Sequence, residues 1–150
     1  MLPSCSLYAI GSFKKGPEKD LFETYQKRLK SSFTLIEGTL KESPNSKELE
    51  AQWFLSKIPV KSYLIVLDER GKDLSSEEFA KTLEKLSLEG ISHVSFLIGG
   101  AHGLSTKIQQ KANLMIRFGK MTWTHLMVRA MLLEQLYRAQ QILLNHPYHK

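Results

Sequence analysis

The chain predicts an α/β fold in one domain, residues 1–150: a mostly parallel sheet with helices on both faces. Three observations predict it. Short apolar runs alternate with segments of helical period along the whole length. Two of those runs, 63–67 (YLIVL) and 94–98 (VSFLI), are unbroken, as expected of strands buried on both faces. The runs are closed by glycine, at Gly11, Gly99-Gly100 and Gly119.

The elements follow in order. Residues 7–10 predict a strand ended by Gly11. Residues 17–29 predict a helix, with Pro17 in its first turn and Leu21, Tyr25 and Leu29 on one face. Residues 33–36 give a second strand, and 47–58 a helix stopped by Pro59. The stretches 41–46 (KESPNS) and 70–72 (RGK) predict loops. After the strand at 63–67, Ser75 and Glu78 have the spacing of a capping box, opening a helix that reaches Leu88 and stops at Gly90. The strand at 94–98 is followed by a short helix after Ser105, a strand at 114–118 and the longest helix, at 124–144.

Composition bounds the function. The chain is 42% hydrophobic and 24% charged, which excludes a disordered or fibrous protein. A single cysteine, Cys5, excludes an internal disulfide framework and a cysteine-based zinc finger, and fits a reducing compartment. No apolar run reaches the length of a membrane span, and Met1 to Cys5 does not read as a secretory leader, so a cytoplasmic protein is expected. His146 and His149 lie three apart but flank Pro147 with no further ligand pattern, so no metal is expected. The charge is unevenly placed. Residues 1–100 carry 14 basic and 14 acidic side chains, whereas 101–150 carry seven basic ones and only Glu134, so the net +6 sits in the last third. Such a field suggests a polyanionic partner, nucleic acid first; a solvated basic face is the alternative.

Ligands of open α/β sheets bind beyond the carboxyl ends of the strands. Three such ends are distinctive: Leu67-Asp68-Glu69, Gly99-Gly100-Ala101-His102-Gly103, and Phe118-Gly119-Lys120-Met121-Thr122-Trp123. Neither the dinucleotide-binding spacing of glycines nor a P-loop occurs, and a plain strand-to-helix turn would also account for the glycines. The last helix is apolar on every side, from Leu126 to Leu144, which suggests cover by a second subunit. Glu134 and Arg138, four apart, predict an ion pair on one face; Arg129 and Arg138 lie about half a turn out of phase and serve different neighbours.

Taken together, LIVLDERGK (64–72), FLIGGAHGLS (96–105) and THLMVRAMLLEQLYRAQQILLNHPYHK (124–150) resemble the ribosomal RNA large-subunit methyltransferase H family of the SPOUT, or α/β-knot, class. G-x-x-K-K from residue 11 and Y-x-K-R at 25–28 extend the resemblance over the chain; Ser12 departs from the lysine common there, and residues 41–52 match no pattern of the family. The resemblance implies a C-terminal deep trefoil knot, a homodimer, and S-adenosylmethionine bound in the knot. It places cofactor contacts at Leu67, Gly99, Gly100, Phe118, Gly119, Lys120, Met121, Thr122 and Trp123, the same three strand ends. It implies methylation of N3 of a pseudouridine in a 23S rRNA stem-loop, on assembled ribosomes. Glu134, the one carboxylate of the basic third, is the candidate proton acceptor, with Arg129, His125, Tyr148 and His149 as candidate RNA contacts; Tyr148 and His149 are alternatively a tail docked on the partner. Two rival readings are a non-catalytic ribosome-binding factor using the basic face, and a nucleotide-binding protein acting on small molecules.

Overall fold

The computed structural model describes all 150 residues. Five parallel strands and five helices alternate: β1 (Ser4–Ile10), α1 (Pro17–Arg28), β2 (Phe33–Gly38), α2 (Ser46–Lys57), β3 (Tyr63–Asp73), α3 (Ser76–Leu88), β4 (His93–Ile98), α4 (Thr106–Lys111), β5 (Leu114–Arg117) and α5 (His125–Leu143). The sheet order is β2-β1-β4-β3-β5, and every pairing is parallel. No helix is long and apolar enough to cross a membrane.

Strand alternation divides the core in two. Cys5, Leu7, Ile65, Val94, Phe96 and Ile116 face α1, α3 and α5 in the larger cluster. Tyr8, Leu64, Val66 and Leu97 face α2 and α4 in the smaller one, against Ala51, Phe54 and Ile108. Local signals explain the helix starts. Pro17 opens α1. The capping box forms, with Ser75 Oγ accepting from the Glu78 N–H and the Glu78 carboxylate accepting from the Ser75 N–H. Thr124 Oγ1 accepts from the Met127 N–H to cap α5.

One expectation is corrected. Residues 70–72 are not a free loop: β3 runs on to Asp73. Its register jumps, with both Leu67 and Lys72 opposite Ile116, so the residues between leave the ladder and return. Gly71 makes the return possible, since a Cβ there would lie 2.5 Å from the Ile116 backbone. One face of α5 is covered within the chain, where α1 and α3 flank it and Leu132, Leu133 and Leu136 are fully buried. Leu126, Val128, Met131, Ile142 and Leu143 are half-buried, and Met127 and Leu144 stay exposed.

Candidate cofactor cleft and basic C-terminal segment

The order β4-β3-β5 sets three strand ends side by side, and their loops line one cleft of about 720 Å³. That size suits a small organic ligand. Leu67 and Asp68 to Arg70 form one wall, Ile98 to Ala101 with Gly103 and Leu104 the second, and Ile116 to Gly119 with Met121 to His125 the third. Eight of the nine residues expected to touch a cofactor line it; Lys120 does not. Trp123 Nε1–H donates to the Phe118 carbonyl at 2.8 Å and closes the third loop on itself. Gly119 turns that loop at φ 88°, a conformation that side chains disfavour. Met121 and Trp123 are open to solvent at 79% and 42%, so the cleft has an apolar, accessible rim. At its edge Arg70 binds Asp68 at 2.8 Å and holds that carboxyl below its ordinary range.

His125 lines the same cleft at the start of α5. Burial lowers its pKa, and the Arg129 charge lowers it further, so the neutral imidazole is favoured.

Glu134 lies elsewhere. It faces an adjoining cleft of about 550 Å³, between α1, α3 and α5, that shares the wall from Ile116 to Gly119. Its carboxylate is fully engaged. Arg138 binds Oε1 at 2.6 Å, the predicted pair; the Tyr148 hydroxyl donates to the same oxygen at 3.0 Å, and Gln135 donates to Oε2.

The tail docks on its own protomer. The Tyr148 ring packs edge-on against Tyr137, with the Arg138 guanidinium 4.8 Å from its centre. Tyr148 is thereby half-buried beside Tyr25 and Glu134, and desolvation with their hydrogen bonds raises its hydroxyl pKa. His149 Nε2 meets Glu77 at 2.6 Å and Nδ1 meets Arg138 at 3.1 Å. In this state both polar tips are occupied by protein.

Arg129 requires a correction. A side chain at 0% exposure reaches no RNA. Its fork binds Glu37 at 2.8 Å and the carbonyls of Ile10 and Gly11 at 3.1 and 3.0 Å, over the Phe13 ring. Glu37 also accepts from the Phe13 N–H. Arg129 therefore ties α5 to the turn after β1. Long-range pairing similarly engages part of the basic excess. Lys107 meets Glu48, Arg117 meets Asp73 and Arg129 meets Glu37, while Arg138 pairs locally with Glu134. Lys111, Lys120 and Lys150 are the cations of the last third without a carboxylate partner.

Sequence reasoning missed Glu37 and Glu50. Glu50 on α2 is 6% exposed and lies against Gly100 in the cleft wall. The signal was a lone acid on the helix face that also carries Phe54, one turn on.

Residues 4–149 match the family model described as "Predicted SPOUT methyltransferase". The ribosomal RNA large subunit methyltransferase H of Rhodospirillum centenum is 44% identical over 147 residues, spanning 96% of this chain and 97% of its own. That of Paramagnetospirillum magneticum is 43% identical over 145 residues, spanning 95% of each. The chain belongs to the ribosomal RNA large subunit methyltransferase H family of SPOUT methyltransferases. Among solved structures, a probable methylase family protein from Haemophilus influenzae superposes with a TM-score of 0.60 at 12% identity, over 100% of this chain and 72% of that one. That likeness concerns the fold. The SPOUT architecture thus accommodates the cleft built from three strand ends, and the family segments 64–72 and 96–105 are two of its walls.

Proposed function

We propose that the protein is an S-adenosylmethionine-dependent methyltransferase that modifies N3 of a pseudouridine in a 23S rRNA stem-loop, on assembled ribosomes. One observation carries this reading: the three strand ends that the family resemblance assigns to the cofactor converge on a single cleft. The residues present fit that cofactor. Leu67, Phe118, Met121 and Trp123 offer apolar surface for adenine, and Gly99 and Gly100 admit close backbone approach. The start of α5, at Thr124 and His125, favours a carboxylate through its free N–H groups. When bound, S-adenosylmethionine supplies an electrophilic methyl group.

The chain's own work is alignment and proton removal. The acceptor nitrogen must lose its proton to attack. His125 lines the cleft, where its imidazole is placed to take that proton, and its lowered pKa favours the neutral ring. Glu134 is committed to Arg138, Tyr148 and Gln135, and its chemistry is anchoring. The proposal includes the knot through β5 and α5, and a homodimer in which a partner covers the exposed apolar residues Leu21 and Met127 beside the second cleft. A protein with this substrate works in the compartment that holds ribosomes.

The test is nucleoside analysis of 23S rRNA after incubation of ribosomes from an enzyme-null strain with the protein and S-adenosylmethionine. A new methylated pseudouridine is expected. Bound ribosomes without a methylated nucleoside would instead favour the non-catalytic binding factor.

A further inference from the structure

The segment 41–52 supplies two carboxylates that lie against the glycine loop of the cleft. Glu50, on α2, is 6% exposed, and its Oε1 lies 2.6 Å from where a Gly100 side chain would begin. Glu42, just before α2, binds His102 Nε2 at 2.6 Å. Gly100 and His102 belong to the loop that ends β4; Gly100 lines the cleft, as do Ala101 and Gly103. We propose that Glu50 is a positioning residue for cofactor binding: with Glu42, it clamps the loop Gly99–Gly103 so that its backbone is presented to the cleft in one conformation.

The chemistry follows from the surroundings. A buried carboxylate is costly unless its oxygens accept hydrogen bonds. The His102 charge, when present, and the adjacent Gly100 backbone both oppose the upward pKa shift that burial imposes on Glu50. A side chain at position 100 would displace the carboxylate, so glycine is required there to admit Glu50 as well as a ligand. Gly103 lies at φ 79°, and its N–H donates to the Gly100 carbonyl at 3.1 Å, so the loop is a tight turn held at both ends. Without the clamp, the loop would sample other conformations, and binding would carry the added cost of ordering it.

This inference rests on the cofactor reading above, and its test separates the two. Amide hydrogen exchange of the 99–104 segment is measured without ligand in wild type, Glu50→Ala, Glu50→Gln and Glu42→Ala. Exchange in Glu50→Ala should rise about tenfold in that segment, with β1 and β4 unchanged. Glu50→Gln, which keeps an acceptor oxygen, should stay within about threefold of wild type, and Glu42→Ala should fall between. In a steady-state assay Glu50→Ala should raise the KM for S-adenosylmethionine about tenfold with kcat changed less than about threefold. Unchanged exchange of the loop in Glu50→Ala overturns the clamp whether or not the cofactor binds. If Glu50→Ala unfolds, Glu50→Gln and Glu42→Ala decide by the same exchange readout. Wild type that shows the clamp yet binds no S-adenosylmethionine overturns the cofactor reading and the positioning role built on it.

Discussion

Replacing Arg129 with methionine tests the long-range packing of α5 most sharply. The substitution keeps an unbranched apolar stem but removes the fork that binds Glu37 and the Ile10 and Gly11 carbonyls. Breaking a buried ion pair by removing one partner costs about 3–5 kcal/mol. Here the lower end applies, because the Glu37 side chain is 30% exposed and can be partly rehydrated. A loss of about 3 kcal/mol corresponds to a fall in Tm of about 6–12 °C for a chain of this size. Urea unfolding followed by tryptophan fluorescence, with Trp53 and Trp123 as reporters, measures it. Arg129→Lys should recover only part of the loss, since an ammonium cannot fork across three acceptors. A loss below about 1 kcal/mol in Arg129→Met would refute the reasoning. So would normal stability combined with lost ribosome affinity, the outcome expected of an RNA contact.

Other outcomes follow from the same geometry. Gly100→Val should weaken S-adenosylmethionine binding by more than about tenfold in calorimetry, because its Cβ meets Glu50 at 2.6 Å; unchanged affinity would remove this loop from the site. Trp123→Ala should weaken binding while shifting Tm by less than about 2 °C, since the ring is 42% exposed and its main bond closes only the loop to Phe118. Glu134→Gln should free the tail, seen as faster carboxypeptidase trimming past His149, whereas His125→Asn should lower kcat with the tail still docked; the reverse assignment would return the proton acceptor to Glu134. Burial pushes the Cys5 thiol from 9.0 up to about 12, so the folded state retains a proton that the unfolded chain releases. That contribution is complete below pH 9.0 and is lost as pH rises toward about 12, and Cys5→Ala should flatten the decline in a urea titration across that window.

What was legible in the sequence was local. The capping box at Ser75, the turn glycines, and the Glu134–Arg138 pair each depend on residues a few positions apart, and each forms. The unbroken runs in β3 and β4 marked central strands, and the rule that parallel sheets bind ligands at their carboxyl ends then marked three loops, which converge. What was not legible was long-range. Arg129 meets Glu37 across 92 positions, so no spacing could reveal that this cation serves the fold rather than a nucleic acid. The same holds for Arg117 with Asp73 and Lys107 with Glu48, which engage part of a basic excess that a regional count of charges leaves standing. The extension of β3 past Asp68 was hidden because charged residues and Gly71 do not carry a strand signal; the ladder with β5 imposes it from outside. Likewise the apolar circumference of α5 does not reveal which of its faces α1 and α3 cover.

The most direct test of the central claim is transfer of a labelled methyl group from S-adenosylmethionine to ribosomes lacking the modification, beside free 23S rRNA. Label on the rRNA of intact ribosomes, absent from free RNA and lost with Gly100→Val, is the predicted result. No label on either, with folded protein and intact cofactor, would contradict the assignment of this cleft to methyl transfer.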